Sequence, residues 1–485
     1  MKAERLRVAM FSTIVGGGAG YAALRVHDSL RLCGADSTLY VGRAERSRHP
    51  GVQRIPYAEE GPQPSQIPGL TIFSVDAPGI PEHLLDDIIA RSDVFNLHWY
   101  ARFLSVRNID RLSRSGKPVI MTIRDMNPLS GGCHFFHGCD NWQRDCVPCP
   151  QFIPDHLILP GATLDAKRAL WNVDNITVVV LSDHTARLVE RSSLLRGCRL
   201  EKIPNPVDLS IFKPHDRDKA RAALGIPTNK HAIAYLPSFS SSVKGAPQAI
   251  AALKCLSSDL PVESCVVVCA GDLDKPLDVP FETIEIGFIT DRHKLARFYS
   301  AADVTLIPST EETFSNTAAE SVACGTPVVG FRVGAIPEIA QGTRGCAVPV
   351  ADIGSLADGL RARLLESKAD RKTLHRYVED SFGARAIGER YLTLFEALHR
   401  GVRFRASQDQ VWASQASRPG QCFDRLLIDY RKMRCKELSE ERESRKRETG
   451  IFRRYLRPIW RGIGIFFTDN KAFRRRVRGL LEDWR

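Results

Sequence analysis

Residues 308–331 read PSTEETFSNTAAESVACGTPVVGF and hold two glutamates, Glu312 and Glu320, with seven residues between them. An apolar run, Val304–Ile307, reads as a strand that delivers a loop carrying Glu311 and Glu312. A short helix is expected over Asn316–Cys324, ended by Gly325, with the next strand starting at Pro327. The first glutamate then lies outside the carboxyl end of a strand, where open α/β sheets bind ligands, and the second lies on the helix that begins there. Two carboxylates near one helix can accept hydrogen bonds from several hydroxyls. The helix start at Ser315–Thr317 offers free N–H groups suited to phosphate. A sugar nucleotide has both features, vicinal hydroxyls and a diphosphate. Read without their surroundings, the same glutamates are a loop charge and a solvated helix residue.

Three further stretches carry chemistry. Gly16, Gly17, Gly18 and Gly20 follow the first apolar run and precede a helix of about 13 residues, a loop that lets a ligand approach backbone N–H groups. It is not the GxGxxG dinucleotide fingerprint, and a ligand-free turn is the other reading. His98 ends the run VFNLH before Trp99 and Tyr100. At a strand end it is placed to touch an acceptor, against the alternative of a structural histidine. Cys133, Cys139, Cys146 and Cys149, with His134 and His137 between them, have the spacing C-x5-C-x6-C-x2-C. Four thiolates could wrap a structural Zn²⁺ tetrahedrally and would leave no open position for catalysis. A disulfide or redox role and unbonded thiols remain open beside it.

The elements that must position these residues alternate. Short, continuously apolar runs suit strands buried on both faces of a parallel sheet. They are Val8–Ser12, Thr38–Val41, Val94–His98, Pro118–Ile123, Thr177–Leu181, Ile233–Leu236, Cys265–Ala270, Val304–Ile307 and Pro327–Phe331. Helical patterns between them complete βα units. A proline-rich break, IPNPVDLSIFKP over 203–214, separates two such series and leads into a short helix, Asp216–Leu224. The expected domains are 1–205, 206–381, a helix at 382–400 that crosses back to the first domain, and a tail, 401–485. Tyr391, Leu392, Leu394, Phe395 and Leu398 form the apolar face of that helix.

The stretch 308–331 resembles the E-x7-E signature of retaining family-four glycosyltransferases. The resemblance lies in Pro308-Ser309, Glu312, Phe314, Glu320 and Gly325-Thr326-Pro327-Val328-Val329, then Gly334 and Pro337-Glu338. It extends to Ile203-Pro204-Asn205-Pro206-Val207-Asp208 with Phe212, to Lys244-Gly245, and to Gly287-Phe288 and Tyr299–Asp303, so that about residues 6–400 are covered. It implies a GT-B fold, α/β, with two doubly wound Rossmann-like domains facing a cleft, here followed by a basic helical tail. It implies that Glu320 binds ribose hydroxyls and that Glu312 faces the donor sugar. The backbone of Phe314, Ser315 and Asn316 would meet sugar and diphosphate, and Thr317, Gly17 and Gly18 join the donor set. Lys244 would neutralise the departing phosphate, with His98 as a further catalytic candidate and no metal cofactor needed for retaining transfer. Two positions depart from the pattern. Ser238 stands where the family has an arginine, and Arg124, followed by Asp125, stands where it often has an acceptor-side histidine. A subset of the family that assembles polysaccharides has a similar cysteine segment, which implies a structured loop near the acceptor.

The 485 residues are 43% hydrophobic and 26% charged, as in a globular protein, and no apolar stretch is long enough to span a membrane. The N-terminal run is too short for a secretory signal, so a cytoplasmic location with reduced thiols is expected for the 13 cysteines. Residues 401–485 hold 22 Lys and Arg against 11 Asp and Glu, so all but one of the 12 net positive charges belong to the tail. Residues 451–485 interleave arginines with Phe452, Tyr455, Trp460, Phe466, Phe467, Phe473 and Trp484. That mix suits peripheral contact with an anionic membrane, at the inner face of the plasma membrane, where a lipid-linked acceptor would be met. A helical pair packed on a partner is the alternative, and no nucleic-acid-binding module is recognisable. The expected activity is retaining transfer of a hexosyl group from a nucleoside-diphosphate sugar to a glycan or lipid-linked acceptor. The rivals are a non-catalytic sugar-nucleotide-binding protein of the same fold and a nucleic-acid-associated protein acting through its tail.

Overall fold

Valine-, isoleucine- and leucine-rich runs become strands that are buried along their whole length. In the computed structural model these are β4 (Val94–Leu97), β5 (Val119–Thr122), β6 (Ile176–Val180), β9 (Cys265–Cys269), β11 (Val304–Ile307) and β12 (Val328–Phe331). The structure describes residues 5–44, 49–58, 74–75, 79–152, 159–237, 241–271, 276–366 and 370–406. The tail beyond 406 and Ser238 lie outside the described residues.

The first sheet adds β1 (Arg7–Val15), β2 (Asp36–Ala44), β3 (Val52–Arg54) and β7 (Arg199–Lys202), in the order β3-β2-β1-β4-β5-β6-β7. The second adds β8 (His231–Tyr235), β10 (Glu282–Glu285) and β13 (Cys346–Val348), in the order β10-β9-β8-β11-β12-β13. Every pairing is parallel. Helices α1 (Gly17–Leu32), α2 (Glu82–Arg91), α3 (Val106–Ser113), α4 (Leu159–Leu170) and α5 (Asp183–Arg191) connect the first sheet. Helices α6 (Arg217–Leu224), α7 (Ala246–Leu256), α8 (Arg292–Ala301), α9 (Asn316–Ala323), α10 (Ile336–Gln341) and α11 (Ile353–Leu365) belong to the second. Helices α12 (Arg371–Phe382) and α13 (Ala384–Ala406) follow. Among the described residues no helix is long and apolar enough to cross a membrane.

Both sheets have the same doubly wound logic. The chain leaves β1 toward one edge, then returns to place β4 on its other side, and β8 and β11 repeat this. The crevice at such a reversal is where open α/β sheets bind ligands. The glycine loop follows β1 and His98 follows β4. The Lys244 loop follows β8 and Glu312 follows β11. Four separate sequence stretches thus reach two equivalent points of the fold.

The strands absent from the sequence reading, β3, β7, β10 and β13, are the four that lie at or beside sheet edges and are partly exposed. β3 (VQR), β7 (RLEK) and β10 (ETIE) carry charges and β13 (CAV) is only three residues long, so a search for longer apolar runs passes over them. The first helix also starts earlier than expected. Gly17, with φ +57°, is its first residue, so Gly18 and Gly20 lie inside α1, which runs 16 residues.

The helix expected over 382–400 runs Ala384–Ala406 and packs across α1. Gly388 makes the crossing close, since a Cβ there would sit 2.4 Å from the Ser29 carbonyl oxygen. Ile387, Tyr391, Leu394 and Phe395 complete the core of the first sheet with Val8, Met10, Leu30 and Ile120. Full burial of Tyr391 and Phe395 contributes about 2 kcal/mol for each ring.

Candidate functional site

The loop after β11 is held in shape by its neighbours. The Thr310 N–H donates to the Val243 carbonyl at 2.8 Å. Gly245, with φ +71°, has no room for a side chain, because a Cβ would lie 1.9 Å from the Pro308 carbonyl oxygen. That approach brings Lys244 to Glu312, and the ammonium donates to Oε1 at 2.5 Å. The Ser309 hydroxyl donates to the same oxygen at 3.1 Å. The Lys244 side chain remains 40% exposed while Glu312 is 14% exposed, so the cation can move to a ligand without leaving water.

Helix α9 begins at Asn316, capped by Ser315, whose Oγ accepts the Ala318 N–H. Ser315 has φ +86°, unusual for a residue with a side chain, and such strain clusters at binding sites. Phe314 is buried edge-on against Phe382, which fixes the loop but leaves its ring no ligand face. Thr317 follows Asn316 in the first turn of α9. Glu320, one turn further on, is buried. Its Oε1 accepts from Arg25 Nη2 of α1 at 2.5 Å.

A polar chain crosses from one sheet to the other beside these acids. Asn316 Nδ2 donates to the Gly18 carbonyl at 3.2 Å, and Asn205 Nδ2 donates to Asn316 Oδ1 at 2.9 Å. Arg124 Nη1 donates to Asn205 Oδ1, and its Nε donates to His98 Nδ1 at 3.1 Å. Arg124 is fully buried, which pulls its pKa down to about 10, still protonated at neutral pH. His98 Nδ1 therefore accepts, and the ring proton sits on Nε2. Burial, with the Arg124 charge beside it, holds the imidazole well below its ordinary pKa. His98 is thus a neutral N–H donor here, which removes it as a general base.

Arg124 and Asp125 diverge. Arg124 is committed to the interdomain chain, so it is not an open acceptor-side cation. Asp125 turns into the loop that follows, accepting the Asn127 N–H at 3.1 Å, with His134 Nδ1 3.2 Å away. Burial raises the Asp125 pKa. Tyr100 Oη, His98 Nε2 and His134 Nε2 are buried and find no hydrogen-bond partner among the described residues.

Cys133, Cys139, Cys146 and Cys149 are all free thiols, and all but Cys139 are buried. Cys133 donates to Ser130 Oγ at 3.1 Å, and Cys146 Sγ accepts the Gly131 N–H. Burial pushes Cys133 well above the ordinary thiol range and Cys149 up to about 11. No three of these sulfurs lie within 4.8 Å of one another, so as placed they do not fit a tetrahedral zinc shell. Among the described residues only His27, Asp28 and His49 meet that spacing. His27, however, uses both ring nitrogens, on Ser37 Oγ and the Pro50 carbonyl. The cysteine loop is instead clamped by Glu311, whose carboxylate accepts the Phe136 N–H at 2.9 Å and the His137 N–H at 2.7 Å.

Arg25, Asn205, Glu311 and Arg292 belong to this site and were not singled out from sequence as site residues. Arg25 had no local signal, since its partner lies 295 positions away. Asn205 stood in the noted interdomain segment and Glu311 beside Glu312, and both could have been found there.

Comparison with known proteins agrees with this geometry. Residues 230–366 match the family model described as Glycosyl transferases group 1. The D-inositol 3-phosphate glycosyltransferase of Mycolicibacterium smegmatis is 34% identical over 211 residues, 40% of this chain and 44% of that protein. The protein of the same name from Mycobacterium bovis is 30% identical over 216 residues, 40% of each chain. The chain thus spans less than half the length of these curated relatives. Sucrose-phosphate synthase from Thermosynechococcus elongatus superposes with a TM-score of 0.57 at 19% identity, covering 82% of this chain and all of that one. WaaG, a glycosyltransferase involved in lipopolysaccharide biosynthesis, gives 0.56 at 15% identity, over 80% of this chain and 99% of that one. Anabaena HepE, solved with UDP and glucose, gives 0.54 at 15% identity, over 81% and 100%. The two sheets therefore form a GT-B fold.

Proposed function

We infer that this GT-B chain, with its glycosyl transferases group 1 segment at 230–366, is a glycosyltransferase using a nucleoside-diphosphate sugar. The observation that carries the reading is the placement of Glu312, Glu320, Lys244 and the start of α9 at one reversal point of the second sheet. Glu320 would take the ribose hydroxyls, and the N–H groups of Ser315–Thr317 the diphosphate. Lys244 would leave Glu312 for the phosphate as negative charge develops on the leaving group. Such a contact strengthens in the transition state and so accelerates the reaction. Glu312, freed of its cation, would face the sugar hydroxyls. The UDP and glucose held by the Anabaena neighbour support a donor of this class.

The finer reading is transfer of a hexosyl group with retention to a glycan or lipid-linked acceptor. It rests on the family resemblance of the sequence. Residues 451–485 would bring the site to an anionic membrane, judged from their arginine and aromatic content alone.

The test is release of nucleotide from UDP-, GDP-, ADP- and TDP-linked hexoses, with candidate glycans and lipid-linked sugars as acceptors. Turnover of one donor that falls at least about a hundredfold in Glu312→Gln supports the enzyme. Tight binding of a donor without turnover would favour the non-catalytic reading. The anomeric configuration of the product, read by NMR, decides retention.

A further inference from the structure

Glu312 and Glu320 are both engaged by cations, and the two engagements differ. Lys244 reaches Glu312 from the same domain. Arg25 reaches Glu320 from α1, in the other domain, with the two side chains only 12% and 8% exposed. The contact is made by one nitrogen. Arg25 Nε and Nη1 are buried and find no partner among the described residues. An arginine normally meets a carboxylate with two parallel hydrogen bonds, and donors buried without partners are costly. Arg25 is also crowded by a like charge. Its guanidinium lies 5.7 Å from the Phe212 ring centre, and that of Arg292 lies 5.3 Å from the same centre. Arg292 has its own partner, Asp208, at 3.2 Å. The Arg25–Glu320 pair is therefore a poorly satisfied contact, and it occupies the carboxylate that the donor reading assigns to ribose.

We propose that Arg25 and Glu320 form an interdomain latch that the donor's ribose must displace, so that donor binding and release of Arg25 from Glu320 are one event. This rests on the donor reading above. With the latch closed, Glu320 is withheld from the nucleotide. With the ribose hydroxyls on Glu320, Arg25 is released and its two stranded N–H groups regain water. Apparent donor affinity is then reduced by the fraction of molecules in which the latch is shut.

The test is calorimetric titration of the full chain with UDP, GDP, ADP and TDP. For the diphosphate that binds, Arg25→Met should lower Kd at least about threefold, because no closed state competes. Arg25→Lys, with a shorter reach and one point of attachment, should give a smaller gain in the same direction, and it carries the test should Arg25→Met fail to fold. Glu320→Gln should weaken binding. Unchanged or weaker binding in the Arg25 variants, with Glu320 still required, overturns the latch and leaves the donor reading intact. Absence of binding by all four diphosphates to wild type and variants removes the donor reading and the latch with it.

Discussion

The two walls of the site are built differently. On the second-sheet side, Lys244, Glu312 and α9 are fixed by backbone packing of adjoining loops, through Gly245 against Pro308 and Thr310 on Val243. On the first-sheet side, His98, Arg124, Asp125 and His134 are fixed by side chains holding one another. On the first wall Lys244 and Glu312 satisfy each other, while Nη2 of Arg292 is buried without a partner among the described residues. The second wall keeps buried atoms on Tyr100, His98 and His134 without partners among the described residues. A wall set by backbone is ready for a ligand common to many proteins. A wall set by side chains is adapted to whatever this chain in particular receives. The family match, confined to residues 230–366, follows the same division.

The largest expected effect lies in the backbone-built wall. Lys244→Ala should lower kcat by roughly 10²–10³-fold with little change in donor KM, since the cation acts on the leaving group. An equal loss in kcat and a large rise in KM would make Lys244 a ground-state contact instead.

The first-sheet domain behind that side-chain-built wall should be sensitive to acid through His27. His27 of α1 is buried, which lowers its pKa to about 4. At this side chain the folded state then binds fewer protons than the unfolded state between about pH 6.5 and 4. His27 adds no pH dependence above that window, and stability falls as pH drops through it, by about 3 kcal/mol in all. Thermal melts between pH 7 and 4 should show this loss, and His27→Gln should flatten it. A wild-type melt that does not move across that window contradicts the assignment.

Next comes the clamp between the walls. Glu311→Ala leaves two backbone N–H groups of the cysteine loop unsatisfied and should cost about 2 kcal/mol. Faster proteolysis within residues 131–150, at unchanged secondary structure, would report it. The smallest effect should come from His98→Asn, which should raise acceptor KM about tenfold, the loss of one buried hydrogen bond, and leave donor KM unchanged.

The division also explains what the sequence made legible. The contiguous stretch 308–331 announces its strand, loop and helix, because local order there is enough to position Glu312 and Glu320. The buried strands were readable from apolar runs, whereas β3, β7 and β10 carry the mixed composition of partly exposed strands and β13 is only three residues long. Arg25 was not legible, and although Arg124 and Asn316 were, the contacts that join them through Asn205 were not, since each links residues from distant parts of the sequence. The four cysteines suggested a metal through their spacing, but no three of their sulfurs lie within 4.8 Å of one another. His98 was well placed along its strand, and only the Arg124 contact shows which of its nitrogens is spent.

The central claim is that one nucleotide site lies between the glycine loop and the start of α9. A photoreactive nucleoside diphosphate, crosslinked to the full chain and mapped by mass spectrometry, tests it most directly. Label is expected on peptides from 308–325 together with 12–32, competed by the unlabelled diphosphate and lost in Glu320→Gln. Competable label concentrated elsewhere, and indifferent to Glu320, would contradict it.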